Sequence, residues 1–212
     1  MYKGTNASDG IGIGTAVIVE EAELIITRRE VNDTEAEVQR FKGALDETIK
    51  ATEKLAEDLA TRVGEKEAEI MQGHMMLLAD PMLTGEIENS VRNDGVNSEY
   101  AIENVCNMYA DMFASMGDEL MQQRATDMRD IKTRMQQMLM GIQSVDISSL
   151  PEGSIIVAKD LTPSMTAGIN PANVTGIVTE LGGRTSHSAI LARALEIPAV
   201  VAVNGLLDEG KD

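Results

Sequence analysis

Seven consecutive residues concentrate the chemistry of this chain: Gly182-Gly183-Arg184-Thr185-Ser186-His187-Ser188, directly before the apolar stretch that begins at Ala189 and ends at Leu195. The run sets an imidazole on a tight turn at a helix start, among hydroxyls and one guanidinium. A helix start has amide N–H groups without intrahelical partners and a partial positive charge, so it suits a bound phosphate. Gly182 and Gly183 let the backbone turn sharply and come close to a ligand. An unperturbed histidine titrates at about 6.5 and is mostly neutral near pH 7. A neutral imidazole nitrogen there can attack a phosphoryl group. The product is a phosphohistidine whose oxygens are held by amides, by Thr185, Ser186 and Ser188, and by Arg184. Two plainer readings stand beside this one. Ser186 is a natural N-cap for a strand-to-helix turn, and Arg184 can pair with a carboxylate such as Glu180 instead of a phosphate.

The elements that must position these residues read as two kinds. From about Asp33 to Met140 the pattern is helical. Thr34 and Glu37 form a capping box, and Val38, Phe41, Leu45, Ile49, Leu55, Leu59 and Val63 recur at helical spacing behind it. Gly64, Pro81 and Asn93-Asp94-Gly95 punctuate the chain beyond that stripe. The result is about four main helices with short connections, the pattern of an antiparallel bundle. From Pro151 the rhythm becomes β-α-β-α-β: strands at Ile155–Ala158, Val174–Thr179 and Pro198–Val203, with short helices between. An early strand within Gly12–Glu21 joins the same sheet. The fold expected is an α/β subdomain over 1–30 and 146–212, interrupted by an inserted all-α subdomain over 31–145.

Composition limits the function classes. The 212 residues are 43% hydrophobic with 14 Met and no Trp, so the core is aliphatic and rich in thioethers. The net charge of −17 argues against nucleic acid and anionic membranes as partners and favours a basic protein. Residues 146–212 hold 8 acidic and 4 basic side chains, which leaves most of the excess negative charge in the first part of the chain. Cys106 is the only cysteine, so no internal disulfide forms, and with two histidines no zinc cluster is built. No apolar run is long enough for a membrane span, and the N-terminus lacks a signal core, so a cytoplasmic location is expected.

On these residues a family resemblance rests. GGRTSHSAILARALEIPAVV resembles the active-site segment of enzyme I of the phosphoenolpyruvate-dependent sugar phosphotransferase system. Related segments occur in the swivelling phosphohistidine domains of pyruvate phosphate dikinase and phosphoenolpyruvate synthase. EIMQGHMMLLADPML and Arg124-Ala125-Thr126-Asp127-Met128-Arg129-Asp130 resemble further enzyme I segments, and the dikinases lack this helical insertion. The resemblance implies phosphoryl transfer from phosphoenolpyruvate through Nε2 of His187 to the phosphocarrier HPr, the first step of sugar uptake. It places Thr162, in Asp160-Leu161-Thr162-Pro163-Ser164, against the other ring nitrogen, while Met165 stands where the family often has an acid. It implies an HPr-docking face at Glu65, Ile70, Gly73, Met76, Leu77, Asp80 and Arg124. Asp127 and Asp130 form structural pairs. His74 lacks the glycine turn, the hydroxyls and the helix start, and is read as a helix-surface or groove residue. The family also carries a barrel domain that binds phosphoenolpyruvate, holds magnesium and dimerises. With that domain and the last strand pair absent, the chain is expected to be C-terminally truncated, to bind no metal itself, and to need phosphorylated HPr rather than phosphoenolpyruvate as donor. The rival readings are a dikinase or synthase swivelling domain and, in another class, a non-catalytic helical interaction module.

Overall fold

In the computed structural model, which describes residues 2–143 and 145–207, five helices follow one another: α1 Thr34–Arg62, α2 Glu65–Leu78, α3 Pro81–Asp94, α4 Ser98–Ser115 and α5 Glu119–Met140. Pro81 starts α3, the short helix expected between Pro81 and Asn93-Asp94-Gly95. Asp80 sits before it as N-cap, its carboxylate accepting from the Met82 amide at 2.8 Å, and Pro81 takes the first helical position, where its missing N–H costs nothing. The capping of α1 departs from expectation. Asp33, not Thr34, accepts from the Ala36 amide at 2.9 Å. Glu37 is turned away to accept from the Ser98 amide at 2.7 Å and to pair with Arg40 at 2.8 Å. A carboxylate needed to join the starts of α1 and α4 is not available to close a capping box.

The apolar stripe of α1 does what its spacing predicts. Val38 and Phe41 are fully buried and lie in one core with Leu78, Leu83, Ile87, Ile102, Met128 and Ile131, while Leu45 and Ile49 pack against its edge. Thr48 and Thr52 are also buried on α1. Their hydroxyls donate back to the carbonyls of Ala44 and Thr48, each at 2.7 Å, which satisfies them inside the helix.

Arg40 also bonds Glu99 at 2.8 Å, and Asn97 donates to the other oxygen of Glu99 at 2.9 Å. Burial by itself raises the pKa of Glu99, but the hydrogen bonds from Arg40 and Asn97 outweigh it and hold the carboxyl below its ordinary 4.5. Glu37 is held low in the same way, by Arg40 and the Ser98 amide against burial. A carboxylate with a depressed pKa stabilises the fold above its unfolded pKa, and that contribution fades as pH falls through the folded value. Glu99→Gln is therefore expected to be less stable than the parent at pH 7, with the difference shrinking steadily once the pH drops below 4.5. Urea midpoints measured across that range check this. A gap that stays constant from pH 7 downward contradicts it.

The α/β part holds a five-stranded sheet: β1 Thr5–Ser8, β2 Thr15–Val19, β3 Ser154–Ala158, β4 Val174–Thr179 and β5 Ala199–Val201, in the order β1-β5-β4-β3-β2. β2 to β5 run parallel, and β1 pairs antiparallel with β5. β1 has no apolar alternation in Thr5-Asn6-Ala7-Ser8 and was not legible from pattern. α6 Pro163–Ala167 follows β3, and α7 His187–Ala194 follows β4. Crossovers between parallel neighbours are right-handed, so successive steps across the sheet in one direction put both helices on one face. Accordingly α6 packs on α7, and α7 on β1 and β5. Val19, Ile156, Ala158, Ile177, Ala199 and Val201 are buried, in one core with Ala189 and Ala192 of α7. The alternate residues are less covered: Ile18 is 61% and Val200 38% exposed.

The chain divides into two compact units, 1–21, 58–68 and 145–212 in one, 22–57 and 69–144 in the other. Two segments depart from the expected division. Residues 22–30 go with the helices, because the Asn97 amide donates to the Arg29 carbonyl at 3.0 Å and that of Val31 to the Gly95 carbonyl at 2.9 Å. Residues 58–68 go with the sheet, because Arg62, the last residue of α1, donates to the carbonyls of Ala167 and Ile169 just past α6. These are orphan acceptors of a helix end, and a cation suits them. Arg62→Ala is expected to cost about 1.5 kcal/mol, the low end for hydrogen bonds to a charged group because Arg62 is solvent-exposed. Denaturant unfolding measures it. A change within about 0.3 kcal/mol shows that Arg62 does not anchor α6.

Candidate functional site

The loops that follow β3 and β4 emerge at the carboxyl ends of parallel strands, the edge where open α/β sheets bind ligands. The loop after β4 is pinned on several sides. Glu180 and Leu181 donate to the carbonyls of Ala158 and Lys159 at 3.0 and 2.8 Å, and the Thr179 hydroxyl donates to the Leu181 carbonyl at 2.6 Å. Gly182 then takes φ +97°, a conformation that disfavours any side chain. A Cβ at Gly183 would meet nothing within 4 Å, so the backbone there is open to an approaching group. Ser186 closes the turn. Its hydroxyl donates to the Gly183 carbonyl at 2.8 Å and accepts from the Ala189 amide at 3.3 Å, the expected N-cap. Its Oγ also lies 2.9 Å from that of Ser188, which is buried.

His187 is therefore the first residue of α7, half-buried, at the carboxyl edge of the sheet. Arg184 and Thr185 are exposed. Arg193 bonds the Arg184 carbonyl at 3.0 Å and that of Ala7 at 2.9 Å, which ties the turn to β1 and leaves the Arg184 guanidinium outside it. Glu180 is engaged elsewhere, accepting from the Gly205 amide at 3.1 Å, and among the described residues no carboxylate pairs with Arg184. Thr162 caps α6, accepting from the Met165 amide at 3.3 Å, with the Ser164 hydroxyl 3.2 Å away. α6 packs against α7, so Thr162 and His187 start neighbouring helices. Sequence reading passed over Asp160. Its Oδ1 accepts from the Leu161 amide at 2.8 Å and would lie 3.7 Å from a Cβ on Gly182, with Thr179 Oγ1 and Ser186 Oγ at similar range. Burial pushes the Asp160 carboxyl up, against the Leu161 amide. Cys106 is no rival nucleophile, since burial pushes its thiol up to about 12.

The second group of candidates lies mostly in the helical unit. Met76 of α2 is 73% exposed, and Glu65, the first residue of α2, is also exposed. Ile70 and Leu77 are half-buried, and Leu77 packs against the helical core, so it is not a free surface residue. Asp80 is the cap of α3. Gly73 is buried, because the half-buried Arg124 of α5 lies over it. His74 corrects the reading of it as a surface residue. It is completely buried, with Nε2 3.1 Å from Asp127 Oδ1 and Nδ1 3.7 Å from Asp130 Oδ2. Asp127 and Asp130, three apart on α5, offer two carboxylates to one ring. Among the described residues no three His, Cys, Asp or Glu side chains converge as a metal site, and no helix is long and apolar enough to cross a membrane.

Comparison with known proteins places this geometry. Residues 3–124 match the family described as PEP-utilising enzyme, N-terminal, and residues 150–212 match its mobile domain. The chain is 42% identical over 211 residues to the phosphoenolpyruvate-protein phosphotransferase of Bacillus subtilis, covering 98% of this chain and 37% of that protein. It is 44% identical over 199 residues to that of Listeria monocytogenes, covering 94% and 35%. The chain thus spans just over a third of the length of these relatives. A solution structure of Enzyme I (nEIt) superposes with a TM-score of 0.83 at 38% identity, covering 97% of this chain and 84% of that one. The N-terminal domain of Enzyme 1 - Nitrogen superposes with a TM-score of 0.65 at 26% identity, covering 95% and 83%. The chain belongs to the phosphoenolpyruvate-utilising enzymes, as an N-terminal region of the phosphoenolpyruvate-protein phosphotransferase, or enzyme I, type.

Proposed function

We propose that this chain carries the phosphohistidine step of a phosphoenolpyruvate-protein phosphotransferase, with His187 as the residue that takes and passes on the phosphoryl group. Nε2 of the neutral ring attacks phosphorus. A P–N bond forms as the P–O bond to the enol oxygen of phosphoenolpyruvate breaks, and the enolate leaves to become pyruvate after protonation at carbon. A second displacement, in which a nucleophile of HPr bonds to phosphorus as the P–N bond to Nε2 breaks, passes the group on and frees the imidazole. Thr162 accepts a hydrogen bond from Nδ1–H, which fixes the tautomer in which Nε2 keeps its lone pair. Arg184, Thr185 and the amides at the start of α7 meet the phosphoryl oxygens, whereas the Ser186 hydroxyl is spent on the Gly183 carbonyl and Ser188 is buried behind it, so neither serves as the phosphate donor expected from the sequence. The observation that carries this reading is an imidazole at a helix start, three residues after the exposed Arg184, on the carboxyl edge of a parallel sheet.

The whole-protein context belongs to the same proposal: phosphoenolpyruvate and magnesium act through a separate barrel domain, which also dimerises, and the molecule works in the cytoplasm in sugar uptake. HPr docks on the helical unit around Met76, Gly73, Ile70 and Arg124, with Glu65 and Asp80 supplying negative charge that draws in a basic partner. The helical unit favours this over a dikinase swivelling domain. Incubation with phosphorylated HPr, then with excess unphosphorylated HPr, tests the reading. The group should enter the chain and then leave it. A chain that never takes the group, or cannot return it, contradicts the proposal.

A further inference from the structure

The centre of α2 holds an arrangement that fold stability does not explain. A Cβ built on Gly73 would stand 2.8 Å from Nη1 of Arg124. The missing side chain lets the guanidinium lie directly on the α2 backbone. Behind it, Arg124 Nη1 is 3.7 Å from Asp127 Oδ2, and the other oxygen of Asp127 is 3.1 Å from Nε2 of His74, the residue after Gly73. His74 is wholly buried and the Asp127 side chain is only 7% exposed. The far ring nitrogen, Nδ1, has no hydrogen-bond partner, with Asp130 Oδ2 3.7 Å off. A buried imidazole between carboxylates, with one nitrogen unsatisfied, is poorly stabilising by itself. A glycine inside a helix is unfavourable as well. Both features border Arg124, 35% of whose side chain stays exposed.

We propose that Gly73, His74 and Asp127 are positioning residues for partner docking. Asp127, oriented by His74, holds the Arg124 guanidinium against α2, where it presents a pre-positioned donor fork to an acceptor group on the partner. The partner chemistry is a carboxylate or backbone carbonyl set within a basic surface. The inference rests on the HPr-docking reading above. A free arginine loses much rotamer freedom when a partner immobilises it, and one fixed beforehand loses little.

The test is a set of binding titrations with HPr on folded variants, with melting temperatures taken in parallel. Arg124→Ala should weaken binding about tenfold. Gly73→Ala pushes against only the far end of a flexible side chain and raises helix propensity. It should leave the melting temperature unchanged or higher, yet weaken HPr binding several-fold. Asp127→Asn keeps the side-chain shape beside His74 and removes the charge facing Arg124, and should also weaken binding. The decisive readout is the double-mutant cycle. In the Arg124→Ala background, neither Gly73→Ala nor Asp127→Asn should weaken binding further. Effects that add in full show that these residues act on docking without Arg124 and overturn the inference. Parent binding that survives Arg124→Ala undiminished overturns it too, while leaving the docking reading standing. A parent chain that fails to bind HPr defeats the docking reading itself, and the inference with it.

Discussion

His187→Ala is expected to abolish acceptance of a phosphoryl group from phosphorylated HPr. No other side chain at the turn replaces an imidazole lone pair: Ser186 is committed to capping α7, with its hydroxyl donated to Gly183, and Ser188 is buried beside it. The fold should survive, because His187 stands half-buried at the first position of α7, where the cap is supplied by Ser186. Arg184→Ala should slow the transfer by about 10–100-fold, the rate equivalent of one hydrogen bond to a charged group. His74→Gln should still be labelled to the parent's final extent, with any slowing confined to HPr docking, since that ring is sealed inside the helical unit and does not itself take the group. The measurement is the rate and extent of transfer from labelled HPr to each variant. Transfer to His187→Ala at even a tenth of the parent rate would place the nucleophile elsewhere.

Phe41→Ala is expected to destabilise the protein by about 3–5 kcal/mol, the usual cost of removing a buried phenyl ring and leaving a cavity. Phe41 has no exposure and sits in the helical core among Val38, Leu78, Ile102 and Ile131. The same core holds Met128 and Met135, whose flexible thioethers can relax into a gap, so partial collapse favours the lower end. Native domains are stable by only about 5–15 kcal/mol, so this one substitution takes a large share. Met108→Ala, on the 54% exposed surface of α4, should cost under about 0.5 kcal/mol. Urea unfolding followed by far-ultraviolet circular dichroism compares the two. Equal shifts would show that the α1 stripe does not face the core.

What was legible in the sequence was what depends on nearby residues. The Val38–Phe41–Leu45 spacing reads as a helix face without knowledge of what covers it. Gly182 and Ser186 read as a turn and a cap because each acts on backbone within three or four residues. What was missed depends on distant partners. His74 carried no local sign of burial, because its partner Asp127 is 53 positions away. Glu37 sat at the capping-box spacing, yet its acceptor capacity was taken by the Ser98 amide 61 residues on. β1 forms because the edge of β5 accepts a strand, not because Thr5-Asn6-Ala7-Ser8 has a pattern. The β-branched runs of β3 and β4 fit strands buried on both faces, whereas here Val157 and Val178 are only half-covered.

Mass mapping of the phosphorylated chain tests the central claim most directly. After incubation with phosphorylated HPr, the protein is digested at alkaline pH, where a phosphoramidate survives, and the modified peptide is sequenced by fragmentation. The account predicts one phosphoryl group on the peptide containing Gly182-Gly183-Arg184-Thr185-Ser186-His187-Ser188, assigned to His187 and lost on brief exposure to acid. A group that resists acid, or one assigned to Ser186, Ser188 or His74, would contradict it.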